Sequence, residues 1–184
     1  MKLLFNKVAI VTGAAHPMGM GFAAGLKLAQ AGAKVILTDL GRNEQELETL
    51  EQRANEIREL DGNAIAMAVD ITQRSQIDLC VQETIKQFGK IDILVVNAGI
   101  AIAGKTGIMP LSDQLAVINT NLNGAIATVS SGLKIFRQQG IIEQDPMDFQ
   151  SYFELGLAYL TLGRHKEELQ AYKEALSLNP KSAL

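Results

Sequence analysis

The chain has no tryptophan, one cysteine (Cys80) and two histidines (His16 and His165) among its 184 residues. A single cysteine excludes a disulfide framework within the chain and a zinc site built from several thiolates. Two histidines are too few for a multi-histidine site, so we predict no metal centre. The net charge of −3 also lacks the basic excess that is typical of nucleic-acid binders. We therefore expect neither a metal ion nor a nucleic acid as a ligand.

The sequence also lacks a run of about 18 apolar residues, which is the minimum for a transmembrane helix. The first ten residues, MKLLFNKVAI, contain no sustained apolar stretch and predict a strand rather than a secretory signal. We therefore expect no membrane partner and a cytoplasmic location. The hydrophobic content of 47% is typical of a globular chain that can bury a core.

Tyrosine is absent from residues 1–137, and all three tyrosines of the chain lie beyond them. Residues 1–137 carry 13 basic and 13 acidic side chains, whereas residues 138–184 carry 4 and 7. Thirteen of the sixteen glycines lie in the first part. This uneven composition predicts a first domain over 1–137, a linker over 138–148 and a second module over 149–184.

Apolar runs alternate with amphipathic stretches through the first domain. The runs predict strands at 7–12, 34–39, 63–70 and 91–96. The amphipathic stretches predict intervening helices, with Asn43, Thr72 and Ser112 as candidate N-caps, and a last long helix over 113–136. Alternating strands and helices predict an α/β fold with a parallel sheet in the order 3-2-1-4. A ligand is then expected at the carboxyl ends of the strands, where the strand order reverses.

A loop that begins at Gly13 and ends at Gly19 joins the first strand to the first helix. Gly13 permits a tight turn, and Gly19 allows the backbone to approach a phosphate closely. The N-terminus of the following helix offers free N–H groups and the positive end of the helix dipole to a pyrophosphate. We therefore predict a dinucleotide site that includes His16 and Met18 of this loop. The alternative is a tight turn without a ligand.

Asp39 ends the second strand, 26 residues after Gly13. A carboxylate at this place can accept hydrogen bonds from the ribose hydroxyls of NAD and repels the 2′-phosphate of NADP. Asp39 therefore predicts NAD as the preferred cofactor. The alternative is a solvated turn residue at the end of a strand.

In order and spacing, these residues, together with Asp70 and the motif Asn97-Ala98-Gly99, resemble the short-chain dehydrogenase/reductase family over residues 1–137. The resemblance implies a truncated Rossmann-like fold and hydride transfer between a nicotinamide cofactor and an alcohol or carbonyl. It places Asp70 near the adenine amino group with Ile71 beside the ring, and Asn97, Ala98 and Gly99 facing the cofactor ribose.

The loop departs from the family pattern at Pro17, which stands where the family has its middle glycine. Proline lacks an N–H and has a fixed φ, although a first helical turn tolerates it. His16 falls where members that prefer NADP often carry a base. We expect the carboxylate of Asp39 to outweigh His16, so the prediction remains NAD.

The resemblance identifies Asn121 with the asparagine of the family's catalytic tetrad, and no other tetrad member is found. The family also needs a tyrosine with a lysine four residues later, and a serine on the preceding strand. None of the three tyrosines has a lysine at that spacing. Ser130 and Ser131 lie within the predicted long helix and are interpreted as structural. We therefore expect a nucleotide-binding chain that binds NAD weakly and whose catalysis is impaired or absent when it acts alone.

Residues 149–182 resemble one tetratricopeptide repeat of 34 positions. The matching residues are Tyr152, Leu155, Gly156, Tyr159, Tyr172, Ala175 and Pro180. This spacing predicts a helical hairpin, for which a generic amphipathic hairpin is the alternative. One repeat cannot bury its own apolar face.

Three surfaces are therefore predicted to lack a partner within the chain: the edge of strand 91–96, the helix over 113–136 and the repeat. An apolar edge strand is a template for pairing with another chain. We expect a homo-oligomer or a protein partner. The alternative function is an interaction module in which the nucleotide fold serves as a scaffold, and a third hypothesis is a mis-joined reading frame.

Overall fold

The computed structural model describes residues 2–104 and 108–140. The predicted repeat, and all of the predicted linker beyond residue 140, lie outside the described residues. The strands are β1 (Val8–Thr12), β2 (Lys34–Asp39), β3 (Asn63–Ala68) and β4 (Ile93–Val95). The α-helices are α1 (Met20–Gln30), α2 (Glu44–Glu59), α3 (Arg74–Phe88), α4 (Leu111–Ile118) and α5 (Ala125–Gln138), and a π-helical segment, Asn119–Gly124, joins α4 to α5.

The four strands form one parallel sheet in the order β3-β2-β1-β4. This confirms the predicted fold class. All five residues of β1 are buried, because the sheet is covered on both faces. Ala9 and Val11 pack into one apolar cluster with Phe22 of α1 and Leu50 of α2. Their neighbours Val8 and Ile10 face the opposite way, into a cluster that includes Ile77 and Val81 of α3.

The cap of α2 forms largely as the sequence predicts. The side-chain oxygen of Asn43 accepts the backbone N–H of Glu46 at 2.9 Å. The carboxylate of Glu46 reaches back to the backbone N–H of Arg42 at 2.9 Å. One free N–H in the first turn of α2, and the N–H of the residue before its N-cap, are therefore satisfied by side chains.

The other two predicted caps are wrong. Thr72 does not cap α3, because its hydroxyl donates to the carboxylate of Asp70 and the helix begins after Gln73. Ser112 lies inside α4, which begins directly after Pro110. Pro110 is the N-cap residue, with φ −54° and ψ 141°, so the helix starts at Leu111 and Ser112 falls inside its first turn.

The predicted long helix over 113–136 also needs correction. The chain is helical from Leu111 to Gln138, but its middle turn, Asn119–Gly124, is π-helical. A π-helical turn adds one residue to the local hydrogen-bonded ring and rotates the two flanking helical faces relative to each other. Apolar spacing in the sequence does not report this interruption.

Strand β4 is shorter than the predicted 91–96. The backbone of Ile91, before the strand, pairs with the side-chain amide of Gln139 in both directions, at 2.8 and 2.6 Å. After the strand, the N–H of Asn97 turns to the Thr12 hydroxyl at 3.0 Å. Side chains thus take over the backbone hydrogen bonds at both ends of the predicted run.

Within the described residues, no helix has the length and hydropathy needed to cross a bilayer. Across the same residues, no group of three or more histidine, cysteine, aspartate or glutamate side chains could hold a metal ion.

Candidate functional site

Thr12, at the end of β1, fastens the glycine loop to the segment that follows β4. Its buried hydroxyl accepts the backbone N–H groups of Asn97 and Ala98, both at 3.0 Å. The side-chain amide of Asn97 donates in turn to the carbonyls of Thr12 and Gly13, at 3.0 and 2.9 Å. These bonds fix the carboxyl ends of two neighbouring strands at one separation. Thr12 was not predicted as a site residue, although a threonine at the end of a buried strand is a usable signal.

Gly13 and Gly21 lie next to the contact between Thr12 and Asn97, and neither position has room for a side chain. Gly13 has a φ of +69°, and a Cβ there would lie 2.7 Å from the Cα of Ala98. A Cβ at Gly21 would lie 2.2 Å from the carbonyl oxygen of Gly13. The backbones of the loop, α1 and the segment after β4 therefore approach within distances that only glycine allows. Gly21 was not predicted as a site residue.

The loop accommodates proline because it contains a β-turn. The N–H of Gly19 donates to the carbonyl of His16 at 2.9 Å, and neither Pro17 nor Met18 has a positive φ. Pro17 thus occupies the second position of the turn, where its fixed φ is favourable. The N–H of Met18 donates to Nδ1 of His16 at 3.2 Å. The departure from the family pattern therefore removes one N–H, that of position 17, without breaking the loop.

Helix α1 presents an uncapped N-terminus behind this turn. Its N-cap is Gly19, which has an extended backbone and no side-chain capping bond. The N–H groups of the first helical turn have no acceptor inside the helix and form a site suited to an anion. Met18 is 88% exposed, and its N–H is already donated to His16.

Asp39 anchors the loop from the end of β2. One carboxylate oxygen accepts the N–H of Ala15 at 2.8 Å, and the other accepts the N–H of Leu40 at 2.8 Å. Each carboxylate oxygen has a second lone pair, so both can accept a further hydrogen bond from a ligand hydroxyl. The half-buried carboxylate both shapes the glycine loop and remains available to a diol.

Asp70 and Ile71 follow β3. A carboxylate oxygen of Asp70 accepts the N–H and the hydroxyl of Thr72, at 2.9 and 2.7 Å. The side chain of Ile71 is 5% exposed and packs where a Cβ on Gly124 would lie 2.8 Å away. Ile71 is thus tightly packed against Gly124, and Asp70 stabilises the turn after β3 through its hydrogen bonds to Thr72.

Asn121 lies in the π-helical segment and pairs with the loop after β4. Its side-chain oxygen accepts the N–H of Ile100 at 2.8 Å, and its amide donates to the carbonyl of Ile100 at 2.9 Å. A Cβ on Gly99 would lie 3.1 Å from the same oxygen. π-helical turns are frequent at functional sites. Here the turn brings an amide against the backbone of the loop and positions it.

Ser130 and Ser131 both lie in α5. The hydroxyl of Ser130 donates to the carbonyl of Ile126 at 2.8 Å, and that of Ser131 donates to the carboxylate of Asp78 at 2.9 Å. Both hydroxyls are used within or between helices, as the structural interpretation expects.

These elements enclose one cleft of about 540 Å³ at the carboxyl ends of the strands, which we call the strand-end cleft. Eight of the ten predicted cofactor-binding residues line it: Gly13, His16, Asp39, Asp70, Ile71, Asn97, Ala98 and Gly99. Met18 and Gly19 do not line it and belong to the turn before α1. The cleft combines closely packed backbone with a carboxylate, which fit a ribose. The uncapped start of α1, which suits a pyrophosphate, follows the glycine loop but does not itself line the cleft.

Arg42 also lines the strand-end cleft, and the sequence analysis did not name it. Its guanidinium donates to Glu46 through Nη2 at 2.6 Å and Nε at 3.0 Å. Hydrogen bonding and attraction by Glu46 raise the pKa of Arg42, with smaller contributions from Asp70 and Asp39. The same pair lowers the pKa of Glu46. The four-residue spacing of an arginine and a glutamate at a helix start is a sequence signal for this pair.

Comparison with known proteins agrees with this geometry. The model of the short-chain dehydrogenase family matches residues 7–142, and a tetratricopeptide repeat model matches residues 149–182. L-rhamnose 1-dehydrogenase (NAD(P)(+)) of Azotobacter vinelandii is 36% identical over 138 residues, which are 75% of this chain and 53% of that protein. The 3-oxoacyl-[acyl-carrier-protein] reductase of Thermotoga maritima is 38% identical over 121 residues, 66% of this chain and 46% of that protein.

Solved structures give the same result. A short-chain type dehydrogenase/reductase from Mycobacterium marinum superposes with a TM-score of 0.68 at 31% identity, covering 74% of this chain and 53% of the other. A short-chain dehydrogenase from Mycobacterium smegmatis gives 0.67 at 27% identity, covering 75% and 55%. The chain spans about half the length of the curated relatives it matches. Both resemblances in the sequence are confirmed, and through residues 7–142 the chain belongs to the short-chain dehydrogenase family.

Proposed function

We propose that the strand-end cleft binds the adenosine and pyrophosphate part of NAD. The observation that carries the proposal is the placement of Asp39, whose carboxylate touches the glycine loop and lines the cleft. The family relatives use nicotinamide cofactors, as the name of the rhamnose dehydrogenase states for that protein. The loop and the start of α1 would hold the pyrophosphate, and Asp39 the adenosine ribose.

Further residues complete the proposed site. Asp70 and Ile71 lie where an adenine would meet one polar and one apolar neighbour, and the segment Asn97–Gly99 lies against the glycine loop. The nicotinamide, when bound, supplies the hydride chemistry of the family. This chain's own contribution is to bind and orient the adenosine end.

The preference for NAD over NADP follows from charge. A 2′-phosphate next to Asp39 meets a carboxylate that already accepts two N–H groups and that repels a second negative charge. Isothermal titration of the full chain tests this. We expect a smaller dissociation constant for NAD than for NADP, and a smaller difference between them in Asp39→Asn.

The matched control is Asp61→Asn, which removes the same charge from an exposed turn whose φ of +58° asparagine tolerates. Tighter binding of NADP than of NAD by the unmodified chain would contradict the preference. So would an equal effect of the two substitutions on the discrimination.

We further infer that this chain does not turn over an alcohol or carbonyl alone. None of its tyrosines has a lysine four residues later, and the amide of Asn121 is engaged by the backbone of Ile100. Purified chain incubated with NAD and a panel of simple alcohols should produce no NADH. Steady NADH formation would contradict this part of the proposal.

The match of residues 149–182 to a tetratricopeptide repeat supports a second candidate function, recruitment of a protein partner. A lone repeat has an uncovered apolar face, which favours association. Sedimentation velocity of the full chain at micromolar concentration, compared with a Tyr159→Lys variant, tests it. Association that NAD leaves unchanged and the variant loses supports the candidate, whereas a concentration-independent monomer contradicts it.

A further inference from the structure

Arg42 is the only lysine or arginine among the described residues that line the strand-end cleft. Arginine is the side chain best suited to bind a phosphate, because its planar guanidinium can donate two parallel hydrogen bonds. Arg42 follows Asp39 by three residues and lines the same cleft. By position and chemistry it is the group in the cleft that could accept the 2′-phosphate of NADP.

Two of the three nitrogens of that guanidinium already donate to Glu46, although the Arg42 side chain is 71% exposed. Glu46 accepts from Nε and Nη2 of Arg42 with its carboxylate, and it also accepts the Arg42 backbone N–H at 2.9 Å. The backbone bond fixes the carboxylate against the start of α2, so the side chain of Arg42 is held by a partner that is itself anchored. Asn43 caps the same helix and keeps this geometry in place.

We propose that Glu46 is a positioning residue that sets the cofactor preference by pairing with Arg42 and withholding its guanidinium from a 2′-phosphate. The inference rests on the proposed NAD site. Asp39 and Glu46 disfavour the 2′-phosphate in different ways. Asp39 repels it directly, whereas Glu46 engages the arginine of the cleft that would attract it. Around Arg42 the carboxylates of Glu46, Asp39 and Asp70 leave an excess of negative charge.

The experiment measures dissociation constants of NAD and NADP for the full chain by isothermal titration. Glu46→Gln keeps the length of the side chain and removes its charge, so the pair with Arg42 weakens. We expect this variant to bind NADP about tenfold more tightly, a change of the size that one charge-assisted contact to phosphate gives. Its affinity for NAD should change by less than about twofold.

Glu44→Gln is the matched control, because Glu44 is the other acidic residue in the first turn of α2. It removes the same charge from the same helix end and should change NADP affinity by less than about twofold. Far-UV circular dichroism of both variants checks that α2 is retained.

Arg42→Gln provides the second arm. In the unmodified background it should leave NADP affinity within about twofold, since the guanidinium is already engaged. Combined with Glu46→Gln it should abolish the tenfold gain, because the group that receives the phosphate is gone. This cycle separates a role of Arg42 from the general effect of removing a negative charge.

An equal response of NADP affinity to Glu46→Gln and Glu44→Gln, or a gain that survives Arg42→Gln, would overturn the inference while NAD binding stands. A tenfold loss of NADP affinity in Arg42→Gln alone would overturn it too, since Arg42 would then already hold the phosphate. If neither the unmodified chain nor any variant binds NAD, the proposed function fails and the inference fails with it.

Discussion

At the strand-end cleft, some backbone atoms approach so closely that only a residue without a side chain fits between them. Gly13 combines a φ of +69° with a backbone neighbour 2.7 Å from where its Cβ would lie. Gly89 has a similar φ of +79°, but nothing lies within 4 Å of its missing Cβ. Substitutions at the two glycines therefore separate the free-energy cost of a left-handed backbone from that of a steric clash with a close neighbour.

We expect Gly89→Ala to lower the free energy of unfolding by about 1 kcal/mol, the usual cost of a non-glycine residue in the left-handed region. Gly13→Ala should cost about 2–4 kcal/mol, because a steric clash with backbone adds to that strain. It should also abolish NAD binding, whereas Gly89→Ala should not. Urea denaturation and NAD titration of both variants provide the measurement, and equal losses would contradict the close approach.

The sequence predicted residues whose role depends on the local chain, such as Gly13 in its loop and Asn43 at its helix. It did not predict Thr12, which acts through Asn97, a residue 85 positions away. Arg42 was missed for a different reason: its local pair with Glu46 is readable, but its place in the cleft depends on how β2 and β3 lie side by side. Partners that are distant in sequence are set by the sheet register, which no short pattern contains.

At the scale of elements, β1 and β4 are joined at the amino end of the sheet by Asp92, opposite the cleft. One carboxylate oxygen accepts the N–H of Val8 at 2.9 Å, and Lys7 and Lys90 lie at 3.0 and 3.2 Å. Burial raises the pKa of Asp92, but the Val8 N–H and the two lysines outweigh it and lower the pKa overall. The side chain is 9% exposed, so this is a largely desolvated staple between two strands.

A lowered pKa in the folded state means that the ionised carboxylate stabilises the fold. That contribution is complete above the unfolded pKa of about 3.9 and is lost as the pH falls through the lower folded value. We expect Asp92→Asn to lower the free energy of unfolding by about 1–3 kcal/mol at pH 7, the range for losing a hydrogen bond to a charged group. The difference from the unmodified chain should shrink as the pH is lowered below 3.9.

Thermal or urea unfolding between pH 7 and pH 3 measures this, with Asp61→Asn as the control for removal of an exposed charge. A difference that is the same at every pH would show that the carboxylate does not act through its charge.

Elements were predicted well where one chain segment decides them and poorly where two segments compete. The four strands and their order follow from apolar runs and right-handed crossovers, and the sheet confirms them. The ends of β4 were not predicted, because the side chains of Gln139 and Thr12 bind backbone N–H groups that the apolar run assigns to the strand. The π-helical segment Asn119–Gly124 likewise contains Asn121, whose side chain pairs with the backbone of Ile100, 21 residues away.

At the scale of the whole molecule, the first domain leaves apolar surface exposed on the side of α4. Leu111, Leu115 and Ile118 are 67%, 53% and 41% exposed, and α4 has no buried residue. Strand β4 lies at the edge of the sheet and is only partly buried. These are two of the three surfaces that the sequence predicted to need a partner, and the third, the repeat, lies outside the described residues. Association through them stays a prediction.

The central claim is that the strand-end cleft, among the surfaces of the described residues, is where NAD binds. A larger depression of about 660 Å³ lies elsewhere, between α2 and β3, and is lined by residues such as Glu48 and Gln52. That depression offers neither a glycine loop nor a helix N-terminus, so we expect no nucleotide there.

Titration of the isotope-labelled full chain with NAD, followed by ¹H–¹⁵N correlation spectra, distinguishes the two surfaces directly. We expect saturable shifts at the amides of Gly13, Ala15 and Asn97, with no shift at those of Glu48 and Gln52. Shifts that cluster at Glu48 and Gln52, or no saturable shift at Gly13, Ala15 and Asn97, would contradict it.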